Sequence, residues 1–156
     1  VKQIMQVLAG SGNPSTDRER FMRASAFNFA ILGTDAHAKN FSILIEHGNY
    51  RLAPLYDINS ALPYDTTNSR KLAMSIGNES RWRHIGRRHW EKTAEACQYP
   101  ADKMLEQLRE ITLIAPDHAR DILRKCREEG LTTPVLTRLA DTIARRCAQI
   151  SKSYGL

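Results

Sequence analysis

The sequence predicts a mainly α-helical domain with one small β-hairpin. Apolar residues spaced by three and four positions recur over residues 1–32 and again over residues 88–150, which is the periodicity of helices packed on a core. Only one pair of short β-rich runs is joined by a turn, and strands do not alternate with helices as a parallel sheet requires. The length, 156 residues, suits one domain or a piece of a larger protein.

Composition and charge are those of an ordinary globular chain, with 42% hydrophobic and 26% charged residues. The net charge of +6 permits a phosphate or nucleic-acid partner without requiring one. The densest basic run spans residues 81–92, and a solvated face is the favoured interpretation of most of its charges. Trp82 and Trp90 in this run could stack on bases, but packing in the core is commoner.

Several features indicate a cytoplasmic protein. The first residues lack the charged, apolar and small-residue pattern of a signal peptide. No apolar run approaches the roughly 20 residues that span a bilayer, so no membrane partner is expected. The three cysteines, Cys97, Cys126 and Cys147, lie on the apolar phase of helical patterns, which favours buried thiols in a reducing compartment.

Two helices are predicted in the first part of the chain. Apolar residues at positions 1, 4, 5 and 8 predict a short helix there. The sequence Thr-Asp-Arg-Glu at Thr16–Glu19 matches a capping box, which would open a second helix running to about Leu32. Residues 27–32 are apolar nearly all round, so the end of this helix is expected to be buried, and Gly33 lets the chain turn out of it.

Four helices are predicted in the second part, giving six or seven in all. One spans about Arg88–Cys97, and another begins near Asp102 and stops near Ala115, because Pro116 disfavours a helical residue before it. Pro116 would then open the next helix, and Thr133-Pro134 the last. The third of these is expected to turn Ala119, Ile122, Leu123 and Cys126 inward. Residues 58–80 indicate only a short strand at Leu72–Ile76.

The predicted hairpin is flanked by polar side chains. Residues 41–45 and 50–53 are its strands, joined at residues 47–49. Asp35 and Asn40 precede the first strand and Asp57 follows the second. A hairpin returns the chain to where it started, so we expect these three residues to form one site.

Carboxylate and amide oxygens in this order suit a magnesium–nucleotide site. Phosphoryl transfer needs a carboxylate near the attacking hydroxyl and hard oxygen ligands for Mg²⁺. Asp35 suits the base, Asn40 one metal ligand, and Asp57 the carboxylate that meets metal and phosphates, while Lys39 and His37 could contact the phosphates. A metal-dependent hydrolase using Asp35, His37 and Asp57 is the weaker alternative.

Two motifs in the sequence are recognisable. Gly-Thr-Asp-Ala-His-Ala-Lys-Asn-Phe-Ser at residues 33–42 and Tyr-Arg-Leu-Ala-Pro-Leu-Tyr-Asp-Ile at residues 50–58 closely resemble the HipA family of bacterial serine/threonine kinases. Residues 72–77 and 88–90 are also similar to that family. The resemblance implies the C-terminal lobe of a kinase-like fold, ATP and Mg²⁺ as cofactors, Asp35 as the catalytic aspartate, and Asn40 and Asp57 as metal ligands.

The resemblance also implies partners. Members of the family are toxins that arrest growth by phosphorylating protein targets, aminoacyl-tRNA synthetases among them, and a helix-turn-helix antitoxin bound to operator DNA restrains them. The chain shows neither a Gly-rich phosphate loop nor a strand Lys paired with a helix Glu. We therefore expect residues 1–156 to be the C-terminal lobe without the N-terminal lobe, and inactive in isolation. The alternative is a catalytically silent lobe that binds an antitoxin, DNA or a partner lobe.

Overall fold

The computed structural model describes residues 1–64 and 70–156, so part of the 58–80 stretch lies outside the described residues. The described residues form five α-helices, two antiparallel hairpins and two 3₁₀ turns, at Ala38–Asn40 and Trp82–His84. The elements are, in chain order, α1 (Lys2–Leu8), α2 (Pro14–Ala30), β1 (Ile43–Glu46), β2 (Asn49–Leu52), β3 (Lys71–Ile76), β4 (Glu79–Arg81), α3 (Arg87–Ala96), α4 (Ala101–Glu128) and α5 (Pro134–Tyr154). The mainly helical prediction is confirmed, and the structure adds a second hairpin.

The core forms where α2 packs against α3, α4 and α5. Phe21, Leu108 and Trp90 are among its fully buried side chains, each contributing about 1.5–3 kcal/mol through burial. Trp90 meets Phe29 edge to face, with ring centroids 5.4 Å apart. The prediction that Trp90 packs in the core is confirmed, and Trp82 is half-buried against the same cluster.

The predicted capping box at the start of α2 is wrong. Asn13 is the N-cap residue, its side-chain oxygen accepts a hydrogen bond from the Thr16 amide at 3.4 Å, and Pro14 occupies the first helical position. Proline is preorganised for that position, so the helix begins before the predicted box. Glu19 instead pairs with Lys103 of α4 at 2.7 Å.

The predicted break at Pro116 is also wrong, because Pro116 lies inside α4, which is one continuous helix of 28 residues. Proline removes one backbone hydrogen bond, at a cost of about 3 kcal/mol. Packing before the proline offsets part of this loss, because Ile111 and Ala115 are buried, whereas Ala119 and Leu123 after it are half-buried and line a groove.

The second half of α4 lines an open groove rather than a closed core. The groove has a volume of about 640 Å³ and lies between α2, α4 and α5. Ala119, Ile122, Leu123 and Cys126 line it as part of an apolar wall. Ile122 is 59% exposed, so its predicted inward position is wrong.

The first hairpin confirms the predicted one. Ile43 lies opposite Leu52 and Glu46 opposite Asn49. His47 and Gly48 form the two-residue turn, with φ of 50° and 78°, the positive values that match the twist of paired strands. Asn49 is therefore a strand residue rather than part of the turn.

The second hairpin contains the strand predicted at Leu72–Ile76, but its partner β4 was not predicted. Gly77 and Asn78 make its turn, both with positive φ. The Gly77 amide donates to the Thr93 hydroxyl at 2.7 Å, which fixes the turn on α3. Three polar residues, Glu-Ser-Arg, carry no strand periodicity, so this element depends on the turn and on α3.

The cysteines are free, with Cys97 and Cys147 buried and Cys126 half-buried. The prediction that they pack as small apolar side chains is confirmed for the buried pair. Within the residues that the structure describes, no helix has the length and apolarity needed to cross a membrane.

Candidate functional site

The chain leaves α2 through a tight turn. Leu32 has φ of 55°, a left-handed conformation that a side chain of this kind rarely adopts. The Gly33 amide donates to the Asn28 carbonyl at 2.7 Å. A β-carbon at Gly33 would lie 2.5 Å from the Asn28 side-chain oxygen, so the close approach of the Asn28 side chain favours glycine here.

Two segments distant in sequence hold the carbonyls that follow α2. The Ser60 hydroxyl donates to the Ile31 carbonyl at 2.5 Å. The Ala61 amide donates to the Leu32 carbonyl, and the Ala73 amide of β3 donates to the Thr34 carbonyl, both at 3.1 Å. Ser60 and Ala61 follow Asp57 closely in the sequence. These hydrogen bonds therefore fix the segment that contains Asp57 to the loop that contains Asp35.

Asn40 and Asp57 meet across the two ends of the first hairpin. Asn40 ends the 3₁₀ turn, is buried, and donates its side-chain Nδ2–H to Asp57 Oδ2 at 2.8 Å. Asp57 adopts φ of 52° as the chain leaves β2 and Pro54. Hairpin closure thus brings together two of the three predicted site residues.

Tyr56 strengthens the same junction. Its hydroxyl donates to the Lys39 carbonyl at 2.9 Å and bonds the Ser42 hydroxyl at 2.7 Å. The side chain of Lys39 remains exposed. Tyr56 was not predicted as a site residue, although its place directly before Asp57 was the available signal.

Asp35 lies in the open part of the loop and pairs with His37. Asp35 Oδ1 is 3.8 Å from His37 Nε2, and the Asp35 side chain is 62% exposed. In the described part of the chain, no hydrogen bond joins its carboxylate to Asn40 or Asp57. The structure therefore brings Asn40 and Asp57 into contact and leaves Asp35 apart from them.

The donor set suits a hard divalent cation. Because the amide nitrogen of Asn40 faces a carboxylate, its oxygen points elsewhere, and within residues 1–64 and 70–156 that oxygen accepts no hydrogen bond. The second carboxylate oxygen of Asp57 is available in the same way. Mg²⁺ commonly takes one or two protein oxygens and keeps several waters, so these two residues fit it.

The weaker alternative, a metal-dependent hydrolase, requires several metal-ligating side chains in one cluster. Among the described residues, no group of three or more His, Cys, Asp or Glu side chains is placed to hold a metal ion. The hydrolase alternative, which needs Asp35, His37 and Asp57 as joint ligands, therefore has no geometric support.

The basic run is largely engaged in local contacts. Arg81 donates to Glu79, and this hydrogen bonding lowers the pKa of Glu79 to about 2. Arg87 pairs with Glu91 at 2.9 Å. Arg83 lies over the Trp82 ring, 4.6 Å from its centroid. These contacts agree with a solvated face for most of the run.

A comparison with protein families decides the assignment. The model of the HipA-like C-terminal domain matches residues 1–120. This chain belongs to the HipA-like C-terminal domain family. The matched range includes Asp35, Asn40 and Asp57, and it ends before α5. The family resemblance predicted from the sequence motifs is confirmed.

Two longer proteins are similar to this HipA-like domain over part of their own length. A Sinorhizobium fredii protein named as a presumed kinase, Y4mE, is 26% identical over 143 residues, which are 92% of this chain and 34% of that protein. The HipA chain in a Shewanella oneidensis MR-1 complex of HipA, HipB and operator DNA has a similar fold, with a TM-score of 0.77 and 19% identity. That match covers 99% of this chain and 37% of the HipA chain. The HipA-like domain thus spans about a third of the length of each relative.

Proposed function

We propose that this domain carries the base and the metal ligands of an ATP-dependent serine/threonine kinase, as part of a HipA-like toxin. The observation that carries the proposal is the 2.8 Å hydrogen bond between Asn40 and Asp57, which joins the two predicted metal ligands at the base of one hairpin. The family match, the kinase name of the relative from Sinorhizobium fredii and the HipA fold support it.

Each residue has a role that its position suits. Asp35 is exposed and reachable, as a base for a polypeptide hydroxyl must be, and His37 Nε2 lies 3.8 Å from its carboxylate. Asn40 and Asp57 would hold Mg²⁺, which neutralises charge on the phosphates of ATP when bound. Lys39 and His37 would contact those phosphates, with Asp57 reaching them through the metal.

The proposed reaction transfers one phosphoryl group. The substrate hydroxyl oxygen forms a bond to the γ-phosphorus of ATP, and the bond from that phosphorus to the bridging oxygen of ADP breaks. The hydroxyl proton passes to Asp35, and ADP leaves; a Mg²⁺ ion held by Asn40 and Asp57 would compensate the negative charge of the phosphates. The chain's own work is positioning and proton acceptance, which are the main demands of this chemistry.

The proposed partners follow from the family. They are a protein substrate such as an aminoacyl-tRNA synthetase, a helix-turn-helix antitoxin, and operator DNA bound through the antitoxin, in the cytoplasm. The support is that the Shewanella oneidensis HipA was solved with HipB and operator DNA.

A second candidate function is a catalytically silent lobe that binds an antitoxin, DNA or a partner lobe. It is favoured by the sequence, in which no Gly-rich phosphate loop occurs, and by the short span of the domain within its relatives. Calorimetry with Mg²⁺-ATP separates the two candidates, because micromolar binding by this chain alone would count against a silent lobe.

The test uses the complete protein with Asp35→Asn and Asp57→Asn. Loss of the base or of the metal ligand should lower phosphate transfer by about 10²-fold or more. Asp57→Asn should also weaken Mg²⁺-ATP binding, while Asp35→Asn leaves it within a few fold. The measurement is transfer of labelled γ-phosphate, with calorimetry for binding.

Asp117→Asn is the matched control, since Asp117 is an exposed carboxylate on α4 that pairs with Arg120 of the same helix. It should behave as wild type. Wild-type transfer by either site variant would refute the assignment of that residue.

A further inference from the structure

An arginine lies in the apolar stripe of α5. Arg146 comes three residues after Ile143 and four before Ile150, so all three share one face of the helix. Arg146 is only 6% exposed. A guanidinium is rarely buried unless its donors are satisfied, so its contacts indicate why it is there.

The guanidinium caps the end of α2. Its Nε donates to the Phe29 and Ala30 carbonyls at 3.1 and 3.0 Å, and an Nη donates to the Phe29 carbonyl at 2.7 Å. Carbonyls in the last turn of a helix lack partners within the helix, and a cation there also suits the helix dipole. Arg146 thus binds the backbone just before the chain turns into the Asp35 loop.

Two aromatic rings fix the plane of the guanidinium. Its central carbon lies 4.8 Å from the centroid of Phe29 and 4.4 Å from that of Trp82. A planar guanidinium between two rings keeps its donors in one orientation, which a lysine ammonium cannot do. This contact also explains the half-buried Trp82 in a basic run.

We propose that Arg146 is a positioning residue for the phosphotransferase site, a role that rests on the proposed function of Asp35. Asp35 follows Ala30 by five residues, and the carbonyls of Ile31, Leu32 and Thr34 in between are held by other segments. The loop is therefore held by these segments along its length and by the last turn of α2, which Arg146 binds, at its start. Arg146 lies beyond residues 1–120, so this link comes from the part of the chain outside the family match.

The test compares Arg146→Met with Arg145→Met in the complete protein. Arg145 is the exposed neighbour on α5 and, among the described residues, bonds the Thr142 hydroxyl at 3.1 Å, so it controls for loss of one cation. We expect Arg146→Met to lower kcat at least tenfold per folded molecule with KM for ATP within threefold, since small misplacement of a reacting group is costly. Arg145→Met should match wild type.

Arg146→Lys keeps the charge but loses the planar fork, so it should fold and give a kcat between wild type and Arg146→Met. If Arg146→Met does not fold, the lysine variant decides, with a several-fold loss of kcat expected. A kcat within twofold of wild type in the folded variant, or an equal loss in Arg145→Met, would overturn the proposal.

Hydrogen exchange separates this inference from the proposed function. Amides in residues 31–40 should exchange at least tenfold faster in Arg146→Met, while those in α4 and α5 stay as in wild type. If wild-type protein transfers no phosphate, the proposed function fails, yet this local change would still support Arg146 as the residue that holds the loop. Unchanged exchange, or faster exchange throughout α2, α4 and α5, would overturn it.

Discussion

At the scale of single residues, Gly33 leaves room for the side chain of Asn28. Asn28 is buried and donates to the Ala24 carbonyl at 3.0 Å, so it cannot move aside without losing that bond. We expect Gly33→Ala to lower the free energy of unfolding by about 1–3 kcal/mol through this overlap. Urea unfolding of the chain measures the loss.

Gly86→Ala is the matched control. A β-carbon there meets nothing within 4 Å, and Gly86 is an N-cap residue, where glycine is preferred over alanine. Its cost should be about 0.5–1 kcal/mol, from weaker capping and not from overlap. Adding Gly33→Ala to an Asn28→Ala background should cost less than adding it to wild type, and an equal cost would exclude the overlap as the cause.

The sequence could predict which polar residues flank the hairpin, but not all of their contacts. Asn40 and Asp57 meet because a hairpin closes locally, which residue order alone implies. Arg146 and Phe29 are 117 positions apart, and no local pattern specifies their contact. The signal for Arg146 was a charged residue in the apolar stripe of a helix. Such a residue is expected to have a buried partner, but the pattern does not identify that partner.

At the scale of secondary structure, errors arose where packing overrides local preference. Pro116 and Thr16–Glu19 both carry strong local signals, yet α4 passes through the first and α2 begins before the second. The hairpin β1–β2 was predictable because its turn and its strands agree. Strand β4 was not, since its three polar residues are held by a turn that packs on α3.

The continuity of α4 predicts the sign of the change in the free energy of unfolding when Pro116 is replaced by alanine. Pro116 lacks the N–H that would bond the Thr112 carbonyl, so Pro116→Ala should restore one hydrogen bond and relieve a steric contact. The free energy of unfolding should rise by about 1–3 kcal/mol, less the roughly 0.4–1 kcal/mol that proline gains by restricting the unfolded chain. If two separate helices met at Pro116, the same substitution would lower the free energy of unfolding.

Pro134→Ala is the comparison for that measurement, since Pro134 is the first residue of α5 and no intrahelical hydrogen bond is missing there. Urea unfolding should show no gain in stability for this variant. A loss of stability in Pro116→Ala would mean that the proline supports the packing of α4 rather than straining it.

At the scale of the whole molecule, α5 joins the site to the core. Its residue Arg146 binds the end of α2, and Ser151 donates to the Thr112 hydroxyl of α4 at 2.9 Å. The end of α2, where the loop with Asp35 begins, is thus fixed to α5, and the segment after Asp57 is fixed to this loop through Ser60 and Ala61. The stability of α5 therefore bears directly on the geometry of the site.

Two acidic groups buried on α5 make that stability depend on alkaline pH. Burial raises the pKa of the Cys147 thiol to about 11 and that of the Tyr154 phenol to about 12, from ordinary values near 9 and 10. Above pH 9 the unfolded chain loses protons that the folded chain still holds. The contribution of these groups is therefore complete below pH 9 and decreases as the pH rises toward 11 and 12.

Cys147→Val tests this origin, because it fills the same apolar site with a side chain that cannot ionise. Between pH 8 and pH 10.5 the urea midpoint of wild type should fall further than that of Cys147→Val. Cys126→Val removes a half-buried thiol outside the core and should fall as wild type does. If Cys147→Val and wild type lost the same stability over this range, the alkaline sensitivity would arise elsewhere than at the Cys147 thiol.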